Sequence, residues 1–317
     1  MAGLNTERQP ARPETLASAQ DGPGDEPRIG FIGAGRTGQA LALAMDRAGL
    51  RVVAVASARA DSAQRIAARL ADCAALSAQQ VADHCDLVFI TTPDAAIEPA
   101  ASAIAWRAGG AVVHCSGATD VDQALAHAAA AGAAIGGFHP MQTFADPDAA
   151  ARSLPGCTVT IEAREPALDA RLVAIAARLG CPVNRLPAGM RARYHAAAGY
   201  GSQFINVLFA EAARVWASWD ASEADTVRAL LPMARGTLAA IESAGIAAGM
   251  PGPVSRGDVQ TVVKHVAALA ELDAATNESY RLLCGRTIAL ALARGAIDEA
   301  KAERLHALLN GCATGSA

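Results

Sequence analysis

Residues 28–38 read Arg28-Ile29-Gly30-Phe31-Ile32-Gly33-Ala34-Gly35-Arg36-Thr37-Gly38, an apolar run that passes into G-x-G-x-x-G and then into an Ala- and Leu-rich stretch ending at Gly49. A glycine motif between a strand and a helix has three separate jobs. The first glycine permits a tight turn, the second lets the backbone approach a pyrophosphate, and the third lets the helix pack against the strand. The helix that starts there offers free N–H groups and a positive dipole end to phosphate. Gly33, Ala34, Gly35, Arg36, Thr37 and Gly38 are therefore the candidate dinucleotide-binding turn.

The pattern continues outward from that turn. After the helix at 37–49 come a strand at 51–57, a helix around 62–71, a strand at 86–92, a helix after Pro93, a strand at 111–116, a helix over 121–131 and a strand at 133–138. Strands alternating with helices build a parallel sheet covered by helices on both faces. The unbroken apolar character of Val52-Val53-Ala54-Val55-Ala56 and Leu87-Val88-Phe89-Ile90 suits strands buried on both sides. The expected fold is α/β: a doubly wound Rossmann-like parallel sheet followed by an all-helical C-terminal domain. The expected division is a disordered N-terminal segment over 1–26, a dinucleotide-binding domain over 27–155, and a mainly helical substrate and dimerisation domain over 156–317. Within the last, 157–163, 166–179 and 181–186 read as a βαβ extension bridging the two domains, and 191–219 as one long helix.

The end of the second strand bears on which dinucleotide binds. A free ribose 2′-hydroxyl usually meets an Asp or Glu about twenty residues past the glycines. This chain has Ser57-Ala58-Arg59 there, and the nearest acid is Asp61. A hydroxyl and a guanidinium at Ser57 and Arg59 suit a 2′-phosphate, so NADP (NADPH) is the expected cofactor. The plain alternative is that Arg59 is a solvated loop arginine.

Ligands of open α/β sheets bind beyond the carboxyl ends of the strands. Thr92 and Pro93, in Thr91-Thr92-Pro93-Asp94, are placed to line the nicotinamide ribose, unless they are only a helix start. Ser116, in His114-Cys115-Ser116-Gly117, is the better candidate of its cluster, because His114 also reads as a buried strand residue. His139, held extended by Pro140, has the direction and the near-neutral ordinary pKa of a proton donor. The alternative for His139 is a structural turn histidine.

With GAGRTG, HCSGATD, GFHPMQTF, YHAAAGYGSQF and GPVSRGD in hand, nearly everything from Arg28 onward resembles a bacterial family that joins a Rossmann-like domain to a helical domain of unknown function, DUF2520. That family is similar to the NADP-dependent pyrroline-5-carboxylate reductases and more distantly to the prephenate dehydrogenases. In the latter, a strand-end serine and a His-Pro-Met histidine share the site where substrate meets nicotinamide. The resemblance implies Ser116 orienting His139, with His139 exchanging a proton with a substrate oxygen or nitrogen. The family tends to show Ser-Asn where this chain has Ser202-Gln203, which puts an amide contact there in doubt.

In the second half, His195, Gly199, Ser202 and Asn206 recur at helical spacing and predict one polar face. His195 and Ser202, with Arg256 of Gly252-Pro253-Val254-Ser255-Arg256-Gly257-Asp258, are the candidate substrate-binding residues. Arg256 could pair with a carboxylate. Asp258 reads as the N-cap of the following helix. Tyr194 borders the polar stripe but is expected to point elsewhere. The apolar far half of the long helix requires burial on more than one side, by its own domain or by a second copy. Relatives of this architecture pair through the helical domain, which implies a homodimer.

Composition closes off several classes. With 52% hydrophobic and 18% charged residues the chain is too apolar for disorder. A net charge of −4 argues against a nucleic-acid partner, and no run is long and apolar enough for a membrane span. Seven scattered cysteines, with no C-x-x-C and no histidine cluster, fit reduced cytoplasmic thiols and no metal. Lys264 and Lys301 are the only lysines among 27 basic residues. That disfavours relatives of ketopantoate reductase and the β-hydroxyacid dehydrogenases, which place a catalytic lysine early in the helical domain. The expected activity is hydride transfer between NADPH and a small carbonyl or imine that carries a carboxylate. The rival reading is an NADP(H)-binding sensor or scaffold without turnover.

Overall fold

The computed structural model describes residues 26–187 and 189–311. The expectation of disorder over 1–26 lies, but for Glu26, outside those residues. The chain forms two compact units, one reaching to Ala198 and one starting at Gly199.

In the first unit β1 (Ile29–Ile32) turns into α1 (Arg36–Arg47), β2 (Val52–Ala56) into α2 (Ala60–Ala67), and a two-residue β3 (Ala74–Ala75) into α3 (Ala78–His84). β4 (Leu87–Ile90) leads through a 3-10 turn to α4 (Ile97–Ser102), and β5 (Ala111–His114) to α5 (Val121–Ala124) and α6 (Ala126–Ala130). β6 (Ala134–Pro140) is followed by α7 (Pro147–Arg152), and β7 (Val159–Ala163) by α8 (Pro166–Arg178) and β8 (Val183–Arg185). The helix expected over 121–131 is thus two short helices meeting at Leu125.

The eight strands lie in the order β3-β2-β1-β4-β5-β6-β7-β8. All neighbours are parallel except β6 and β7. The chain steps outward from β1 to β3 and returns to β4 on the other side of β1, so the order reverses at β1/β4. A crevice at such a reversal is where ligands of these sheets sit.

Alternation along the strands divides the core. Phe31, Phe89, Val113, Phe138 and Ile161 pack with α1, α7 and α8 on one face, while Ile32, Ile90, Val112 and Ile135 pack with α3, α4, α5 and α6 on the other. Phe31 stacks on Phe89 at 5.3 Å between ring centroids, and Phe138 meets Phe89 edge-on at 5.5 Å. These three rings rigidify the central strands whose ends carry the site.

The sequence divides the domains at 155/156 and reads 157–186 as a bridge. In the structure β7 pairs with β6 and β8 with β7, so this segment extends the first sheet, and the compact units part at 198/199.

α9 (Arg191–Tyr200) carries the chain across that boundary. The second unit comprises α10 (Gln203–Ala217), α11 (Glu223–Ala244), α12 (Val259–Ala270), α13 (Ala274–Ala293) and α14 (Glu299–Leu309). Its core is a cluster on α12, α13 and α14 that includes Val262, Val266, Ile288 and Leu305. α10 buries no residue, and Phe204, Val207 and Leu208 are exposed on it. Among the described residues no helix is long and apolar enough to cross a membrane.

The single helix expected over 191–219 is corrected to two. Residues 201–202 form a turn, with Ser202 at φ −134° and ψ −92°. His195 and Gly199 lie before this break and Asn206 after it, so the four residues do not lie on one continuous helix.

Candidate active site

The glycine turn behaves as its spacing requires. Gly33 has φ +116°, which side chains rarely tolerate. A Cβ on Gly38 would penetrate the Gly33 carbonyl oxygen and come within 2.5 Å of Thr91 Oγ1. A Cβ on Gly35 would meet nothing nearer than the Thr91 carbonyl oxygen at 4.0 Å, so this residue leaves open space above the backbone. Gly35 is also the N-cap of α1 and supplies no side-chain cap, and the first turn carries no acid. The helix therefore presents uncapped N–H groups and the positive end of its dipole.

That end opens on a cleft of about 550 Å³ lined by Gly35, Arg36, Thr37, Thr91, Thr92, Pro93, Asp94, Cys115 and Ser116, with Thr143–Ala145 completing the wall. Thr91 and Thr92 divide their work. Thr91 Oγ1 donates to the Gly33 carbonyl at 2.7 Å and pins the turn to the end of β4. Thr92 Oγ1 is buried without a hydrogen-bond partner. A buried hydroxyl left in that state is costly unless a ligand satisfies it. Ser57 is half-buried and Arg59 exposed at the end of β2, where Arg59 is the N-cap of α2.

Ser116 makes no hydrogen bond to His139 in this structure. Its Oγ accepts from the backbone N–H groups of Ala118 and Thr119 at 3.1 and 3.0 Å, closing the loop after β5. The His139 partner is Tyr194, whose hydroxyl lies 2.7 Å from His139 Nδ1. Tyr194 is buried and its ring meets the imidazole edge-on at 5.5 Å. The aromatic residue three positions after Arg191 on a helix was visible in sequence. Its approach to β6 was not, because it depends on how α9 lies on the sheet.

Gly117 separates two imidazoles. A Cβ there would fall 2.7 Å from His195 Nδ1 and 2.8 Å from His139 Nε2. His195 itself is exposed, and its ring centroid is 6.2 Å from that of His139. His114 is fully buried; its Nδ1 accepts from the Ser116 N–H at 3.2 Å, and its Nε2 has no partner.

Arg191 holds this group together. It is buried, donates Nη1 to the Ser116 carbonyl at 2.9 Å, and pairs with Glu162 through Nε at 2.9 Å and Nη2 at 2.8 Å. Gly137 makes room for it, since a Cβ there would lie 2.5 Å from Nη2. Burial, followed by the charges of His195 and Arg191, pushes His139 down to about 4. Burial, followed by Arg191 and His139, pushes His114 down to about 3. Both imidazoles are therefore neutral near pH 7. Burial pushes the Tyr194 phenol and the Cys115 thiol up, so neither is ionised at that pH.

Ser202 and Arg256 belong to the second unit. Both are exposed, Arg256 at the end of a 3-10 turn over Val254–Arg256. Asp258 caps α12 by accepting from the Thr261 N–H, as its sequence position predicts. Lys264 is exposed on that helix.

Two family profiles cover most of the chain. Residues 17–140 match a Rossmann-like domain, and residues 157–287 match a domain of unknown function, DUF2520. The chain joins a Rossmann-like domain to a DUF2520 domain. The Rossmann-like match includes the glycine turn, Ser116 and His139, whereas Glu162, Arg191 and Tyr194 fall in the DUF2520 match.

No curated protein matches the sequence. Among solved structures, a provisionally assigned NADP oxidoreductase from Bacteroides fragilis is 25% identical with a TM-score of 0.67, covering 83% of this chain and 98% of its own. A reductive aminase from Aspergillus terreus, in complex with NADPH, cyclohexanone and allyl amine, is 18% identical with a TM-score of 0.59, covering 90% and 99%. A 1-pyrroline-5-carboxylate reductase from Streptococcus pyogenes is 14% identical with a TM-score of 0.56, covering 84% and 98%. The last two likenesses are of fold.

Proposed function

We propose that this protein is an NADP(H)-dependent oxidoreductase that reduces a small carbonyl or imine compound bearing a carboxylate. The observation that carries the reading is the uncapped α1 terminus at Gly35, which opens on the same cleft as the unsatisfied Thr92 hydroxyl and Ser116. The dinucleotide fits these residues. Gly35 leaves backbone free to approach a pyrophosphate, Arg36 and Thr37 flank it, and Thr92 has a hydroxyl to offer. Ser57 and Arg59, with no acid at the end of β2, favour a 2′-phosphate. The NADP oxidoreductase from Bacteroides fragilis and the NADPH-bound reductive aminase support the same choice.

When bound, NADPH supplies hydride to the substrate carbon. The chain positions the reactants and handles the proton. His139 turns Nε2 toward Gly117, the neighbour of Ser116 in the cleft wall, and is the group proposed to give a proton to the substrate heteroatom. His195, across Gly117, is proposed to contact the substrate. The exposed apolar residues of α10 support a homodimer built through the helical unit. Among the described residues, the cysteines at 73, 85, 115, 157, 181 and 284 are free thiols, in keeping with a cytoplasmic protein.

The test has two stages. NADPH binding is measured by titration, and its oxidation is then followed with a panel of 2-oxo acids, cyclic imines and aldehydes. His139→Ala is expected to retain binding and to lose turnover with whichever compound responds. Unchanged turnover in that variant refutes the assignment of His139. Binding with no oxidation across the panel supports a protein that binds the nucleotide without turnover.

A further inference from the structure

The cleft wall has two charged residues, Arg36 and Asp94, and they stand at different points along it. By sheet order the cleft runs from the turn after β1, past the ends of β4 and β5, toward His139 on β6. Arg36 opens α1 beside Gly35, where the pyrophosphate is proposed to lie. Asp94 comes after β4, next to the strand that carries Ser116 beyond its end. Its charge also reaches His139, where it favours the protonated imidazole against the larger effects of burial, His195 and Arg191. The acid therefore belongs to the reacting end of the cleft, past the pyrophosphate turn.

An acid ahead of a helix usually caps it or offsets its dipole. Asp94 opens the 3-10 turn before α4 without capping it: that turn has no side-chain cap, and α4 carries its own acid, Glu98, in its first turn. Among the described residues the exposed Asp94 carboxylate has no hydrogen bond and no ion pair. The buried cation of the site does not offset it either. Arg191 pairs with Glu162, and His139 and His114 are neutral near pH 7. An uncompensated negative charge in a cleft is worth most to a cationic group that displaces water from beside it.

We propose that Asp94 discriminates between the two oxidation states of the nucleotide, favouring NADP+ over NADPH by its charge. The inference rests on the oxidoreductase reading. Hydride transfer breaks a C–H bond of NADPH and forms one at the substrate carbon, with both electrons of the bond moving to the substrate. A proton goes to the substrate heteroatom, and the nicotinamide ring is left with a positive charge. The nicotinamide half of a dinucleotide whose pyrophosphate meets Gly35 has the rest of the cleft to occupy, the part that Asp94 lines. The carboxylate thus stabilises the charge that hydride transfer creates and favours donation over its reversal. It gives no preference to the adenosine and phosphate parts, which are the same in both oxidation states.

The experiment is calorimetric titration of the full chain with NADP+, with NADPH and with 2′,5′-ADP, which lacks the nicotinamide half. Asp94→Asn is expected to raise the NADP+ dissociation constant about tenfold and to leave those of NADPH and 2′,5′-ADP within about twofold, as loss of one screened charge pair allows. Asp94→Glu keeps the charge and is expected to keep the wild-type preference. Asp94→Ala is expected to repeat the Asn result and serves if the amide variant does not fold. Equal weakening of NADP+ and NADPH in Asp94→Asn reports a contact with a part common to both and overturns the proposal. So does a ratio that does not move, or a change in 2′,5′-ADP binding. Wild type that binds neither NADP+ nor NADPH strikes the oxidoreductase reading and this inference with it, whereas binding of both with an unmoved ratio strikes the role of Asp94 alone.

Discussion

His139 and His195 face one another across Gly117, with ring centroids 6.2 Å apart and no room between them for a methyl group. Gly117→Ala is therefore expected to push the imidazoles aside. Turnover should fall at least about tenfold, equivalent to about 1.4 kcal/mol of lost transition-state stabilisation, while the NADPH dissociation constant changes little. Steady-state rates and nucleotide titration on the same preparation check both halves.

The glycines of the turn should fail in different ways. Gly38→Ala would drive a methyl into the Gly33 carbonyl and is expected to destabilise the fold by about 1–3 kcal/mol, as overpacking does. Gly35→Ala has space and should leave the melting temperature nearly unchanged. It should still weaken NADPH binding at least about tenfold, because its methyl occupies the approach to the helix terminus. Thermal melts with and without NADPH separate the two outcomes.

Arg59→Ala tests nucleotide choice. Removing the exposed guanidinium at the end of β2 is expected to raise the NADPH dissociation constant about tenfold and to leave that for NADH within about twofold, since one charge-assisted contact is worth roughly 1.5–3 kcal/mol. Parallel titrations with both nucleotides measure the ratio.

Acid should weaken the folded state earlier than its carboxylates alone require. His114 and His139 are held down to about 3 and about 4, against about 6.5 for histidine in an unfolded chain. Below pH 6.5 the unfolded chain takes up protons that the folded chain does not. The stability from these two neutral imidazoles is complete above pH 6.5 and is lost as pH falls toward 4 and below. Urea unfolding at pH 7.5, 6.5, 5.5 and 5.0 should show the decline. In His139→Gln its slope should be smaller by up to about 1.4 kcal/mol per pH unit, the amount one proton contributes.

The proposed association is tested on α10. Leu208 is 47% exposed and Val207 52%, unusual for an apolar helix with no buried residue. Wild type is expected to run as a dimer in light scattering, and Leu208→Glu as a monomer with a helical circular-dichroism spectrum.

Much of the fold was legible because it rests on local pattern. The apolar runs at 29–32, 52–56, 87–90 and 111–114 became the central strands, since alternation and continuous hydrophobicity report burial directly. The glycine turn was equally legible, because each glycine answers a backbone demand within a few residues. The break at 201–202 was not. Apolar and polar residues run through Gly201-Ser202 without a proline, and whether a helix continues across such a pair depends on what packs around it.

The sequence by itself determined the alternating α/β order, the turn that opens α1, the absence of an acid after β2, and the scarcity of lysine. These depend on residue type and short spacing. Only the tertiary structure decided which side chain meets His139. Ser116, the partner expected from sequence, accepts from the N–H groups of Ala118 and Thr119 in its own loop. Tyr194, 55 positions along the chain from His139, arrives because α9 brings Tyr194 to β6 and Arg191 to Glu162 on β7. Strand direction and helix placement are settled by long-range packing, which no local spacing encodes.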